Sequence, residues 1–598
     1  MRLERANVPE EQTWNLTDLF SSTDEWEKEL EKVIKDVDKV VAFKGKLGES
    51  AKKLLAALEV YEDFYVRLGR VATYAFLQLS VDGTNADAQA NAAKNASALA
   101  KIQSKLAFIE PELLTISEDT ILQFFNDEKS LLNYKKMLED VMEKKAYTLS
   151  PEIEETLAAL GEVHDAPHMI YERSKTSDME FDPISDEAGN ELPMSEALYE
   201  DRYEMSPNTT VRRNAYNSFI RTLEQYKNTY AATYATEVTK QITIARLRGY
   251  DSVIDMLLQD QQVTKDMYEN QLNVIQKEFA PHMRRYAKLV EKDYKLDKIR
   301  FCDLKAPLDP EFNPETTYDE AKDMILDALD IMGPEYSAAM KKAFDDRWID
   351  YSDNIGKQSG AFCSSPYAAH PYILMTWTNM MRGTFTLAHE LGHAGHFYLA
   401  NKYQNLLNTR PSTYFVEAPS TINELLLADH LLEKTNDKRM KRWVISELLG
   451  TYYHNFITHL LEAEFQRRVY ALAESGTPLT AEVLCREKKE AIENFWGDAV
   501  DIDDGAGLTW MRQPHYYMGL YPYTYSAGLT VSTTVAQKIK SEGQHAVDRW
   551  LDVLKAGGTL RPLELIKKAG VDMSKPDAIK DTVAYVGSLI DELEKSYQ

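Results

Sequence analysis

Cysteine is nearly missing from this chain: only Cys302, Cys363 and Cys485 occur in 598 residues. An odd count with no C-x-x-C spacing argues against a disulfide framework or a cysteine-built zinc site, and a reducing cytoplasm suits it best. Positive charge is also short. Lys and Arg number 69 against 95 Asp and Glu, a formal charge of -26, so the overall field repels phosphate backbones and anionic lipid surfaces. Neither nucleic acid nor a membrane is expected as a partner. No run approaches the roughly 18 uninterrupted apolar residues of a membrane span. The opening Met1-Arg2-Leu3-Glu4-Arg5 brings early charge and no apolar h-region, so it does not read as a secretory signal. Internal repeats and low-complexity tracts are missing too.

What remains is the balance of an ordinary folded protein, 44% hydrophobic and 27% charged, long enough for two lobes with substantial cores. From about Asp24 to His164 apolar residues recur three and four apart, as in Leu54-Leu55-Leu58-Tyr61-Phe64-Tyr65-Leu68, the stripe of a packed helix. Breaks at Gly48-Glu49-Ser50, Asp82-Gly83-Thr84 and Ser150-Pro151-Glu152 read as helix stops followed by capped starts, which predicts a bundle. Between Asp178 and Ser195 the periodicity lapses into a short hairpin or linker. A soft boundary therefore falls near residue 200, with an N-terminal helical lobe over 1–200 and a catalytic domain over 201–598. Helical patterning resumes at Thr209 and runs, with breaks, to Asp346. Beyond Gly360, the segment Tyr372-Ile373-Leu374-Met375-Thr376-Trp377 is apolar and aromatic behind Pro371, so it reads as a strand. It is either an ordinary buried strand or an edge; as an edge it could take an extended peptide substrate by strand addition.

Chemistry concentrates just after this strand. Thr384 can cap a helix carrying His389, Glu390 and His393, and residues four apart stand on one face, one turn above each other. The two histidines can converge on one zinc ion, while Glu390 is angled towards a water on that ion. A catalytic zinc takes three protein donors and keeps one position open. His396 would close the site to a structural one and leave Glu390 without work, so it is expected to be a packed, hydrogen-bonded neighbour. The third donor is expected from Glu417. Pro419 is tolerated only in a helix's first turn, which puts Glu417 at a helix N-terminus, where a carboxylate also suits the dipole. Glu424, seven residues on, lies on nearly the same face and could orient a ligand histidine or simply face solvent. His454 and His459 are expected to be helix residues without metal.

These segments resemble a known family. Thr386-Leu387-Ala388-His389-Glu390-Leu391-Gly392-His393-Ala394-Gly395-His396 followed by Glu417-Ala418-Pro419-Ser420 looks like the M3 metallopeptidases, and among them the oligoendopeptidase F branch. Trp14-Asn15-Leu16-Thr17-Asp18-Leu19-Phe20 is similar to the opening of that branch. Metzincins continue with a third histidine in H-x-x-G-x-x-H, whereas Phe397 and its successors stand here. The resemblance implies a mainly α zincin-type fold, with two helical lobes around a deep channel and a small sheet at the active site. It implies cleavage of internal bonds in short peptides by a zinc-dependent endopeptidase. It also implies that His515 and Tyr523, in Pro514-His515-Tyr516-Tyr517 to Tyr525, stabilise the oxyanion, with Tyr521 and Tyr525 left open for the tyrosine's part. A zinc carboxypeptidase with a similar helical cleft and a non-catalytic peptide-binding protein are the alternatives.

Overall fold

The computed structural model describes residues 2–597, and helices carry most of them. The N-terminal helices Thr23–Val41, Ala51–Val81 and Ala86–Leu106 start where polar side chains cap them. Ser22, Ser50 and Asn85 accept hydrogen bonds from the backbone N–H of Glu25, Lys53 and Ala88, satisfying donors that a helix start leaves free. Pro151 opens the helix Pro151–Ala159, where its missing N–H costs nothing. The 40-residue helix Thr209–Arg248 is capped by Asn208 and stops at Gly249, whose φ of 83° is left-handed and suits a residue without Cβ. Between these parts, β1 (Ile184–Ser185) and β2 (Glu191–Leu192) pair as a small antiparallel hairpin.

A three-stranded sheet joins the N-terminal helices to the rest of the protein. Its order is β3 (Ile349–Asp350), β5 (Tyr372–Leu374), β4 (Phe362–Ser364), with β3 parallel and β4 antiparallel to β5. Side chains alternate across a strand, and β5 uses both faces. Tyr372 and Leu374 join the core of the N-terminal helices, while Ile373 and Met375 join the main core that runs from Tyr171 to Leu593. A strand buried on both faces reads as a continuous apolar run, which is why 372–375 has no polar alternation. This overturns the edge-strand expectation. With β3 on one side and β4 on the other, Tyr372, Ile373 and Leu374 have no free backbone row for a peptide, and all three side chains are buried with Met375. Thr376 and Trp377 are half-buried; the Trp377 ring lies 3.1 Å from where a Cβ on Gly383 would stand, so it packs on the next helix.

That helix runs Met381–Tyr403 and starts earlier than Thr384, which lies inside it and is not the cap. It packs on the helix Ala418–Lys434 so closely that a Cβ on Gly392 would stand 2.2 Å from the Pro419 carbonyl oxygen and 2.6 Å from Ser420 Cα. Only glycine permits this approach. Asn423 staples the pair, donating from Nδ2 to the Ala388 carbonyl at 3.2 Å while its Oδ1 accepts from the Tyr336 hydroxyl at 3.1 Å. On the far side of Glu417, a Cβ on Gly528 would meet Glu417 Cβ at 3.1 Å, so the helix Tyr523–Glu542 closes over the same point.

Candidate active site

Close packing at Gly392 delivers His389 and His393 over the start of the next helix, where Glu417 occupies the N-cap position with Pro419 in the first turn. Glu417 Oε2 lies 3.4 Å from His389 Nε2 and 3.3 Å from His393 Nε2. Donors about 2.0–2.1 Å from a tetrahedral metal stand roughly 3.3–3.4 Å apart, so both distances fit a shared ion. Ser420 holds the carboxylate from behind, its hydroxyl 3.0 Å from the same Oε2. Glu424 takes a hydrogen bond from His389 Nδ1 at 2.6 Å, which leaves Nε2 facing Glu417 and fixes the ring plane.

The charges around this triangle call for a cation. Burial would raise the Glu417 carboxyl's pKa, yet the imidazoles of His389 and His393 hold it well below the usual carboxylate range. Burial likewise works against a charged His389, and Glu417 and Glu424 outweigh it. Either a proton on His389 or a metal between the donors meets that demand, and metal binding displaces the proton. Glu390 differs. It is 6% exposed and burial raises its pKa, against the opposing pull of His389 and His393.

Two residues read from sequence take other places. His396 is fully buried, with its ring stacked on Phe397 at 4.9 Å and edge-on to Phe415 at 5.8 Å. Neither ring nitrogen has a partner among the described residues, so the expected hydrogen bond is not made. Burial, followed by the nearby His393 and Arg410, lowers its pKa to about 3, and it stays a neutral packing group. Tyr523 points into the core. Its hydroxyl donates to Gln261 Oε1 and its ring sits edge-on to Tyr268 at 4.9 Å. Two residues on, about 200° round the helix, Tyr525 faces the other way. It stacks on His459 at 3.9 Å and lies 5.7 Å from His515 and 5.4 Å from Tyr521. Burial first, then the Tyr521 phenol and the carboxylates of Glu417 and Glu462, push its pKa up. The structure thus places Tyr523 on the helix face opposite Tyr525, buried and bonded to Gln261.

His515 belongs to a second group, with His459 and Glu462. Here His459 Nδ1 is 2.7 Å from Glu462 Oε2 and His515 Nδ1 is 3.8 Å from it. The first distance is a hydrogen bond and the second exceeds a tetrahedral donor spacing, so the group fits a proton network better than an ion. From sequence His459 is expected as a helix residue without metal, and nothing marks Glu462 except the spacing His459-x-x-Glu462, a pair three apart on one helix face.

Comparison with known proteins gives the family. The description "Peptidase family M3" matches residues 202–585, and "Oligopeptidase F" matches residues 112–181. Oligopeptidase PepF of Bacillus subtilis (strain 168) is 34% identical over 592 residues, 99% of this chain and 88% of that protein. Group B oligopeptidase PepB of Streptococcus agalactiae is 30% identical over 99% of this chain and 98% of its own. The crystal structure of oligoendopeptidase-F from Enterococcus faecium, 27% identical, has a TM-score of 0.74 over 96% of this chain and 99% of that one. A solved chain from Chlamydophila abortus, 25% identical, reaches 0.91 over 100% of both. Since the first match takes in over half of the chain and every donor of both histidine groups, the protein belongs to peptidase family M3, in its oligoendopeptidase F branch, and is a metalloendopeptidase.

Proposed function

We propose that the protein is a zinc oligoendopeptidase that cleaves internal bonds of short, unstructured peptides. The donor triangle of His389, His393 and Glu417, with 3.3 and 3.4 Å spacings, carries this reading. Zinc held there would supply a Lewis acid that polarises the scissile carbonyl and makes water nucleophilic at neutral pH. Glu390 takes the proton of the attacking water and passes it to the leaving amine. His515 and Tyr525 donate to the oxyanion as it develops, Tyr525 taking the part that the resemblance suggested for Tyr523. Substrate main chain pairs with β4, the half-buried edge strand that packs on the helix of His389 and runs antiparallel to β5. The thiols of Cys302, Cys363 and Cys485 are all free, which supports a reducing compartment; among the described residues no helix is long and apolar enough to cross a membrane.

Digestion of internally quenched peptides of increasing length, blocked at both ends, tests the substrate class. The expected result is chelator-sensitive cleavage of short blocked peptides and none of a folded protein. Cleavage confined to peptides with a free C-terminal carboxylate would indicate a carboxypeptidase, and no cleavage of either would indicate a binding protein.

The two tyrosines should separate cleanly. Tyr525→Phe is expected to lower kcat by about 10²- to 10³-fold, the usual cost of one oxyanion donor. Tyr523→Phe should leave kcat nearly unchanged and cost about 0.5–1.5 kcal/mol of stability through the lost bond to Gln261. Steady-state kinetics and thermal melts of both variants check this pair.

A further inference from the structure

Behind His515 the protein buries a carboxylate for which the reaction above has no use. Glu462, on the helix His459–Glu474, is 2% exposed. Two other buried carboxylates in this protein are saturated by fixed cations: Glu204 meets Arg512 at 2.9 Å and Lys305 at 2.8 Å, and Asp303 meets Arg212 at 2.8 Å and Arg213 at 2.7 Å. Glu462 has no such partner within 4.0 Å among the described residues apart from two imidazoles. His459 is bonded to it at 2.7 Å and is itself braced by His454, Nε2 to Nε2 at 3.0 Å, and by the Tyr525 ring stacked on it. His515 Nδ1 stands 3.8 Å from the same oxygen, is buried, and has no hydrogen-bond partner among the described residues.

An unpartnered buried ring nitrogen aimed at a buried carboxylate is costly to leave unmade and cheap to complete, because a small rotation of His515 closes the gap. Closing it places a proton on Nδ1 and turns the opposite edge, Nε2, away from the carboxylate. Three other groups face Glu462 from neighbouring elements. Lys488, on the helix Ala481–Trp496, shares with it the lining of a cavity of about 340 Å³ that also holds His454 and Arg512. Tyr516, beside His515, and Tyr525, on the helix Tyr523–Glu542, are phenols that burial keeps neutral.

We infer that Glu462 is a positioning residue for His515: it holds the Nδ1 proton, fixes the ring plane, and so presents Nε2–H as a charge-assisted donor to the oxyanion. This rests on the reading of His515 given above. One ring nitrogen faces the carboxylate and the other the reaction's developing charge, and hydrogen bonds to an ionised partner are roughly twice as strong as neutral ones. His459, held between Glu462 and His454, keeps the carboxylate from turning away.

The test uses the zinc-loaded enzyme. Glu462→Gln should lower kcat by about 10- to 100-fold, the usual cost of losing an outer partner, with KM and zinc content unchanged. Affinity for a phosphinic peptide that mimics the tetrahedral state should fall by the same factor. His515→Gln should cost more, and the double variant no more than His515→Gln alone, since the two act as one unit. Glu462→Asp keeps the charge one methylene short; it should fold even if Glu462→Gln does not, and show a partial loss of kcat at unchanged KM. Additive losses in the double variant, a raised KM at unchanged kcat in Glu462→Gln, or a second equivalent of zinc that Glu462→Gln removes would each overturn the inference. Wild-type kcat in His515→Gln would instead bring down the oxyanion reading on which it rests.

Discussion

Glu390→Gln should bind zinc like the wild type and lose peptide cleavage by roughly 10⁴-fold, the upper end of what a positioned proton-transfer group contributes. The upper end is expected because one carboxylate serves both transfers, from water to base and from base to leaving amine. Glu390 is not among the three metal donors, and glutamine has the same shape, so the triangle of His389, His393 and Glu417 stays intact. Burial already penalises the charged form of Glu390, so a neutral amide there should not destabilise the fold. Melting temperature and zinc stoichiometry are therefore expected to match the wild type while kcat collapses. A variant that still turned over normally would show that the base lies elsewhere.

Glu417→Ala should fail earlier, at metal binding. This carboxylate is the shared partner of both histidines, and the remaining pair cannot complete a three-donor site. The loss of affinity should exceed the about 10- to 100-fold that removal of an outer partner costs, which is the effect expected of Glu424→Ala through its bond to His389 Nδ1. Competition with a chelator of known affinity ranks the three proteins: wild type tightest, Glu424→Ala intermediate, Glu417→Ala weakest. An unchanged affinity in Glu417→Ala would mean that the third donor is another residue.

Much of this geometry is legible in the amino-acid sequence because it depends on local rules. Residues four apart on a helix share a face, so the pairing of His389 with His393 follows from spacing alone. Pro419 confines the next helix to start near Glu417, and the helix Ala418–Lys434 does. What local rules do not carry is the face a helix turns inward. Tyr521, Tyr523 and Tyr525 are equivalent by composition; only the contacts with Gln261 and His459 divide them. The strand at 372–374 was visible as a strand, but its place between β3 and β4 depends on residues near 350 and 363, which no pattern within the strand reveals. His396 and Glu462 mark the same boundary. Whether a buried polar side chain finds a partner depends on the elements packed around it, and here the answer is none for His396, and for Glu462 one bonded imidazole from its own helix with a second 3.8 Å away on another element.

Among the described residues two groups of side chains could hold an ion, and one of them has the spacing of a tetrahedral site. Anomalous scattering from a crystal of the zinc-loaded enzyme, recorded on both sides of the zinc edge, distinguishes them directly. The expected map has one strong peak per chain, about 2.0–2.2 Å from His389 Nε2, His393 Nε2 and a Glu417 oxygen. A peak among His459, Glu462 and His515 instead, or none between the first three donors, would contradict the assignment of the active site.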